Sequence, residues 1–304
     1  MNELLDPKND FLFKRIFGSE ENKDVLLAFL NRTFDHAGKP PLREIILLNS
    51  YTDKDSPLDK QSIFDIHART DDGQLINIEM QLFNNYDMEK RTLYYWSKLY
   101  SSQLFEGNAY KQLRKCVTIN VLDYAFLPSE QYHNVFRLSE DTSGIHLTDD
   151  MELHFLELPK LDSSTLSAQD GGLINWLLFL KYTDSVNWEE LAMNEPQLKK
   201  AMNTLEFLSQ DEQARMEYES RQKALRDEIS RQEYARDRGL EEGRQEGIRQ
   251  GIEQGIEQGI QEGIEQAKLE AAHKMLKMGL EIAMIAEATG LSQQQIEALR
   301  AVEE

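Results

Sequence analysis

Polar and apolar residues alternate along two consecutive runs, 61–69 and 74–82, and this period of two predicts a pair of β-strands. Phe64, Ile66 and Ala68 fall on one face of the first run, and Ile76, Ile78, Met80 and Leu82 on one face of the second. Asp65, His67, Asn77, Glu79 and Gln81 fall on the other face. A three-residue loop, Asp71-Asp72-Gly73 with Gly73 left-handed, pairs Thr70 with Gln74 and sets Asp65 directly opposite Glu79. A two-residue loop would put the two acids on opposite faces and mix the apolar sets, so the odd loop is predicted.

Around this hairpin the period changes to that of helices. Runs 9–17 and 23–32 have helical spacing, with Asn9 or Asp10 as the cap, and a strand-like run follows at 44–49. From 87 to 105, Leu93, Trp96, Leu99, Tyr100 and Leu104 recur at helical spacing and leave Lys90, Arg91 and Lys98 toward the other side. An apolar strand at 115–124 completes an αβββαβ order, an α/β fold. A further strand is expected at 151–158, and helices at 172–182 and 187–192.

The last third of the chain is of another kind. From Pro196, which suits a first helical turn, residues 197–270 are rich in Glu, Gln, Arg and Ala without another proline, and helix is predicted. Gly239, Gly243, Gly247, Gly251, Gly255, Gly259 and Gly263 recur every four residues beside a line of Ile248, Ile252, Ile256, Ile260 and Ile264. Each glycine costs a helix ~1 kcal/mol relative to alanine. Two readings stand: close approach of a second copy, following a stripe that drifts right-handedly because four exceeds 3.6, or a spacer. Short helices at 271–278, 281–289 and 292–301 follow, and Ala286, Gly290 and Ile296 have helix-turn-helix spacing. Arg300 and Glu297 in the last helix leave DNA reading and a small partner-binding unit as alternatives. The expected organisation is a domain over 1–195, a glycine-repeat segment over 196–267 for linkage or self-association, and a helical tail over 268–304.

Composition sets limits. With 304 residues and 40% of them apolar, the chain can bury a substantial core. Uninterrupted apolar runs of ~18 residues are absent and the start lacks a signal peptide's pattern, so a cytoplasmic protein without a membrane span is expected. Cys116 is the only cysteine, which excludes an internal disulfide and a cysteine-rich zinc site. The net charge of −20 opposes non-specific nucleic-acid binding, but it is unevenly spread. Residues 1–125 carry 16 Lys and Arg against 19 Asp and Glu, whereas 126–195 carry 3 against 13. The hairpin half is therefore near neutral and leaves DNA contact open.

Two acids directly across a strand pair have β-carbons ~5 Å apart and repel, so something should compensate them. A divalent cation does so, and oxygen ligands suit Mg²⁺ or Mn²⁺. On geometry alone, a solvated polar face stands as the alternative. Either way the acidic pair is expected to be exposed, so that removing it should spare the fold.

A resemblance weighs on that choice. The opening Asp6-Pro7-Lys8-Asn9-Asp10-Phe11-Leu12-Phe13-Lys14-Arg15-Ile16-Phe17-Gly18 is followed by Asp65, Ile78-Glu79-Met80-Gln81, Arg91 with Tyr94-Tyr95-Trp96, and Gly107-Asn108-Ala109-Tyr110 before an apolar strand. In order and spacing this resembles the PD-(D/E)XK nuclease core, and within it the recombination-promoting nucleases of the Rpn or putative-transposase branch. The resemblance implies a Mg²⁺-dependent DNA endonuclease in which Asp65, Glu79 and the Met80 carbonyl hold the ion. Gln81 stands at the triplet's lysine position, where its amide would orient the attacking water. Asp10 is a candidate third acid or a helix cap. Lys14, Arg91 and Tyr95 are candidates for substrate contact, with Arg91 alternatively bracing the acids and Lys14 alternatively a solvated charge. His67, two residues from Asp65, is a candidate for proton transfer or for a supporting role. Because Gln81 is no lysine and the chain is acidic, a non-catalytic binding or regulatory protein on the same fold is the competing reading.

Overall fold

A computed structural model describes residues 3–48, 65–84, 86–161, 172–181, 188–193 and 195–301. Residues 61–64, including Phe64 of the expected leading strand, lie outside them, as do the predicted element ends Asn49, Tyr182 and Asn187; for Asp65 the description stops at the backbone. The chain divides into two compact units, Met1–Leu225 and Arg226–Glu304.

In the first unit the elements follow the expected order. Helix α1 (Asp10–Phe17) starts where the Asn9 side chain accepts from the Phe11 N–H, and α2 (Lys23–His36) follows. Then come β1 (Ile45–Leu48), β2 (Asp65–Thr70), β3 (Leu75–Gln81), α3 (Met88–Ser101) and β4 (Cys116–Leu122). Beyond the αβββαβ order lie β5 (His133–Phe136), β6 (Met151–Glu157), α4 (Gly172–Lys181), α5 (Trp188–Ala192), α6 (Pro196–Gln210) and α7 (Glu212–Lys277). The six strands form one sheet in the order β1-β2-β3-β4-β6-β5. Pairs β1/β2, β2/β3 and β5/β6 are antiparallel, while β3/β4 and β4/β6 are parallel. Helix α3 makes the crossover that parallel β3 and β4 require.

The hairpin has the odd loop. Thr70 N–H donates to the Gln74 carbonyl and Gly73 N–H to the Thr70 carbonyl, both at 3.0 Å, and Gly73 has φ +89°. Asp65 accordingly stands opposite Glu79 in register. One face of the sheet carries Ile66, Ala68, Ile76, Ile78, Met80, Val117, Ile119 and Val121 into the main core, which α1, α2, α4 and α6 complete. Phe17 is its centre, in ring contact with Phe13, Phe29, Trp176 and Phe179. The other face packs Leu122, Leu153 and Phe155 against Met88 and Trp96 of α3.

Helix α6, with Pro196 at its first turn, buries Leu198, Ala201, Met202, Leu205 and Leu208 in the main core, and Ala214 of α7 joins them. This compact unit therefore runs past residue 195. In the second unit the expected helix 271–278 continues α7 without a break, and α8 (Ile282–Thr289) and α9 (Gln293–Ala301) fold with it around Ala272, Ile285, Leu291 and Ile296. Gly290 caps α8 in the left-handed region at φ +73°. Among the described residues no helix is long and apolar enough to cross a membrane.

Strand β5, which the sequence pattern did not announce, is held by a line of side chains running inward from the C-terminus of α2. Tyr132 Oη meets His36 Nε2 at 2.8 Å, His36 Nδ1 meets His133 Nδ1 at 2.8 Å, His133 Nε2 meets His154 Nδ1 at 2.9 Å, and His154 Nε2 meets Glu152 Oε1 at 2.9 Å. With Glu152 ionised, one set of tautomers satisfies all four contacts while every imidazole stays neutral: each ring donates inward and accepts from outside. Burial pushes Glu152 up, but hydrogen bonds from His154 and Lys115 and the charge of Lys115 outweigh it and hold the carboxyl well below its usual range. Lys39 and Arg137 add their charges at 3.3 and 3.1 Å.

Burial lowers the pKa of all three histidines, that of His133 to about 3 from 6.5. Because the folded value lies below the unfolded one, this stabilisation is complete above about pH 6.5 and is lost as pH falls toward about 3. Melting temperature should therefore drop on acidification between about pH 7 and 4, and drop less steeply in His133→Gln, which cannot protonate there. Parallel slopes for the two proteins would contradict the neutral-histidine line.

Candidate metal centre

Strand β3 ends in Glu79-Met80-Gln81, and its central place in the sheet buries that end. The Glu79 side chain is 0% exposed, so the expectation of an exposed acidic pair does not hold for this acid. The reason is α3, which covers the face that alternation had assigned to solvent.

A buried carboxylate needs partners, and Glu79 has several. Asn77 Nδ2 donates to Oε1 at 3.2 Å, Gln81 Nε2 donates to Oε2 at 3.1 Å, and Arg91 Nε of α3 lies 3.5 Å from Oε2. Burial raises the pKa of the Glu79 carboxyl, and the charge of Arg91 with the bonds from Asn77, Arg91 and Gln81 only partly offsets that rise. The Arg91 guanidinium lies over the Tyr95 ring, 5.1 Å from its centroid. Beneath α3 the polar strip continues onto β4, where Thr118 is in register with Asn77 and Asn120 with Glu79. Thr92 Oγ1 donates to Asn120 Oδ1 at 3.4 Å. Buried Thr118 Oγ1 has no hydrogen-bond partner among the described residues.

The predicted site residues divide into those brought together and those held elsewhere. Glu79, Gln81, Arg91 and Tyr95 form one contact group, and the backbone of Asp65 lies opposite Glu79 in strand register. Of the two alternatives for Arg91, bracing the acids is what the geometry displays. His67 is in register with Asn77 on the same face. Burial first, and then the charge of Lys14, lower its pKa, against a hydrogen bond to Asn77 that raises it. Lys14 of α1 is thus felt at this face. Asp10 is engaged elsewhere: its carboxylate pairs with Arg221 Nη1 at 3.1 Å. Thr118 and Asn120 were passed over because 115–124 was read as apolar, although the polar residues at alternate positions were there to be seen.

The donors at this end of β3 are oxygens of the kind Mg²⁺ takes. Gln81 O accepts from Asp123 N–H, so alternation aims the Met80 carbonyl toward the β2 side, beyond the last described pair Asp65↔Glu79. An ionised carboxylate has about four acceptor sites, and the bonds to Glu79 leave Oε1 with spare capacity. No three His, Cys, Asp or Glu side chains cluster as a ready ligand set among the described residues.

A family model described as PD-(D/E)XK nuclease family transposase matches residues 7–235, which is most of the chain. A second, described as Rpn/YhgA-like nuclease family, C-terminal HTH domain, matches residues 265–301, the segment folded around Ala272, Ile285, Leu291 and Ile296. No curated protein and no solved structure gives a significant match.

The buried ion pair generates a test independent of activity. Arg91→Ala leaves the Glu79 charge without its cation and should destabilise the protein by about 3–5 kcal/mol, as breaking one side of a buried pair does. Adding Glu79→Gln should restore most of that loss, a coupling read from urea unfolding of both singles and the double. Additive effects would show that the pair does not carry the local stability.

Proposed function

The chain belongs to the PD-(D/E)XK nuclease family transposases, and from that membership we propose that it is a Mg²⁺-dependent DNA endonuclease of the recombination-promoting type, acting in the cytoplasm. The observation that carries the reading is the register of Asp65 with Glu79, which gathers two acids at the end of β3 beside Met80 and Gln81. Asp65, Glu79 and the Met80 carbonyl would hold Mg²⁺, or Mn²⁺ in its place, with Asp10 as a further acid once Arg221 releases it. The bound ion would supply an activated water and charge stabilisation at the phosphate.

The protein's own groups have separable tasks. Gln81 commits its amide N–H to Glu79 and so fixes that carboxylate. Its carbonyl oxygen remains as an acceptor that can orient a water. Arg91 offsets part of the burial penalty on the Glu79 carboxylate, and with Tyr95 and Lys14 it would meet the phosphate backbone of DNA. The helix-turn-helix at 265–301 adds a second place for DNA to bind. Two observations favour the competing reading, a DNA-binding or regulatory module without catalysis: the Arg91 guanidinium already occupies a place beside Glu79, and no lysine stands at position 81.

Because Glu79 is buried, the informative substitution is isosteric. Asp65→Asn and Glu79→Gln should each lower Mg²⁺-dependent plasmid nicking by about a hundredfold or more while the protein stays folded. Gln81→Lys should keep or raise the rate and Gln81→Ala should lower it. Undiminished nicking by both acid variants would leave the binding-module reading.

The glycine stripe supports self-association. A β-carbon added to any of its seven glycines meets nothing within 4 Å, and Ile248, Ile252, Ile256, Ile260 and Ile264 are 52–59% exposed. The chain itself therefore supplies no packing reason for the stripe among the described residues, and a second copy would. Sedimentation of the full-length protein should show an oligomer that Ile252→Glu, Ile256→Glu and Ile260→Glu together convert to monomer. A monomeric wild type across the concentration range would make the segment a spacer.

A further inference from the structure

We propose that the outer face of α3 and the loop after it form a track for single-stranded DNA that leads away from the Glu79 end of β3. The proposal rests on the nuclease reading and names the form of DNA that the site engages.

The track starts beside the candidate centre. Arg91 faces Glu79 from the inner side of α3 and lies over the Tyr95 ring, which Tyr94 meets edge-on at 5.4 Å. Lys90, Tyr94 and Lys98 follow one another at four-residue spacing along the exposed side, so a cation, an aromatic ring and a cation lie in one stripe. At its far end α3 is tied down by Trp96 Nε1 donating to the Cys116 carbonyl and Tyr100 Oη donating to Asp150. The helix thus runs from the Glu79 row to the Cys116 row, about 20 Å for 14 residues.

There the chain turns into a loop with a fixed frame. The Gln103 amide donates to the Arg114 carbonyl at 3.0 Å and accepts from the Arg114 N–H at 2.9 Å, which closes the loop. Asn108 accepts from the Phe105 N–H and returns a bond to the Phe105 carbonyl, while Gly107 supplies the positive φ. On this frame Phe105 and Tyr110 are 80% and 83% exposed, and Tyr86, just before α3, is 80% exposed. Four exposed aromatic rings therefore fall between residues 86 and 110, on backbone that holds them out of the core.

Charge and chemistry select the occupant. Residues 86–115 carry six Lys and Arg against three Asp and Glu in a chain of net −20. Arg91 and Lys115 are spent on Glu79 and Glu152, so the outward excess is small. So small an excess is poor for duplex DNA, whose binding is driven largely by phosphate neutralisation. Exposed rings with interleaved cations suit unpaired bases instead, because the faces they stack on are hidden in a duplex.

The test measures binding of a fluorescent oligothymidine to the full-length protein in EDTA at low salt, against a duplex of equal length. The oligothymidine should bind more tightly than the duplex. Phe105→Ala and Tyr110→Ala should each weaken it roughly tenfold, the scale of one lost base stack, without shifting the thermal melt, since both rings are exposed. Lys90→Ala with Lys98→Ala should flatten the salt dependence. Duplex binding as tight as single-strand binding, or unchanged affinity in the ring variants, would overturn the proposal. So would ring variants that alter the oligomeric state while leaving oligothymidine binding intact, which would make the face a protein contact. Chelation keeps this test separate from cleavage: a protein that binds as expected yet never nicks DNA with Mg²⁺ would fail the nuclease reading and keep the track.

Discussion

A carboxylate with no exposure at the end of a central strand is the constraint around which the first unit is arranged. Taking an ion of that size out of water costs several kcal/mol even after relaxation, so the fold must supply compensation at that point. It does so through Asn77 and Gln81 on the same strand and through Arg91 on α3. The pairing in turn fixes where α3 lies, because the helix that carries Arg91 must cross above Glu79 before its Trp96 and Tyr100 reach the far end of the sheet. The polar strip beneath α3 and the apolar helices on the opposite face then divide the sheet into a side suited to chemistry and a side for stability.

Much of this was legible in the residues. The odd loop at Gly73 and the alternation on either side were enough to set Asp65 opposite Glu79, because a one-residue slip would have turned a whole apolar set outward. The burial of Glu79 was not legible: alternation tells which residues share a face, and what covers that face is decided by the packing of α3. Strand β5 escaped for a related reason. His133-Asn134-Val135-Phe136 is only four residues long, too short to show a period, and its place depends on His36 and His154, which lie far away in the chain. The run 115–124 was recognised as a strand while its polar side, Thr118 and Asn120, was missed among the apolar residues between them. Membership of the PD-(D/E)XK nuclease family transposases agrees with the resemblance read from Asp6 to Tyr110, and the C-terminal helix-turn-helix match agrees with the spacing of Ala286, Gly290 and Ile296.

The two units answer to different physics. The first rests on a core of rings around Phe17 and on buried charges with named partners. In the second, most of α7 exposes its isoleucines and glycines alike, and only its last turns with α8 and α9 gather an apolar centre. An acidic chain with a near-neutral nuclease half gains little from long-range attraction to DNA. Under the proposed function, engagement of DNA would fall to local features, namely the Arg91 and Tyr95 pair, the rings beside α3 and the helix-turn-helix.

Under the proposed function, Asp65 and Glu79 together hold one divalent cation. Electron paramagnetic resonance of Mn²⁺ titrated into the purified protein tests it without reliance on turnover. One Mn²⁺ should bind per chain, be displaced by Mg²⁺, and be absent from Asp65→Asn and Glu79→Gln proteins that remain folded. A wild type that leaves all Mn²⁺ free, or variants that bind it as the wild type does, would contradict the account.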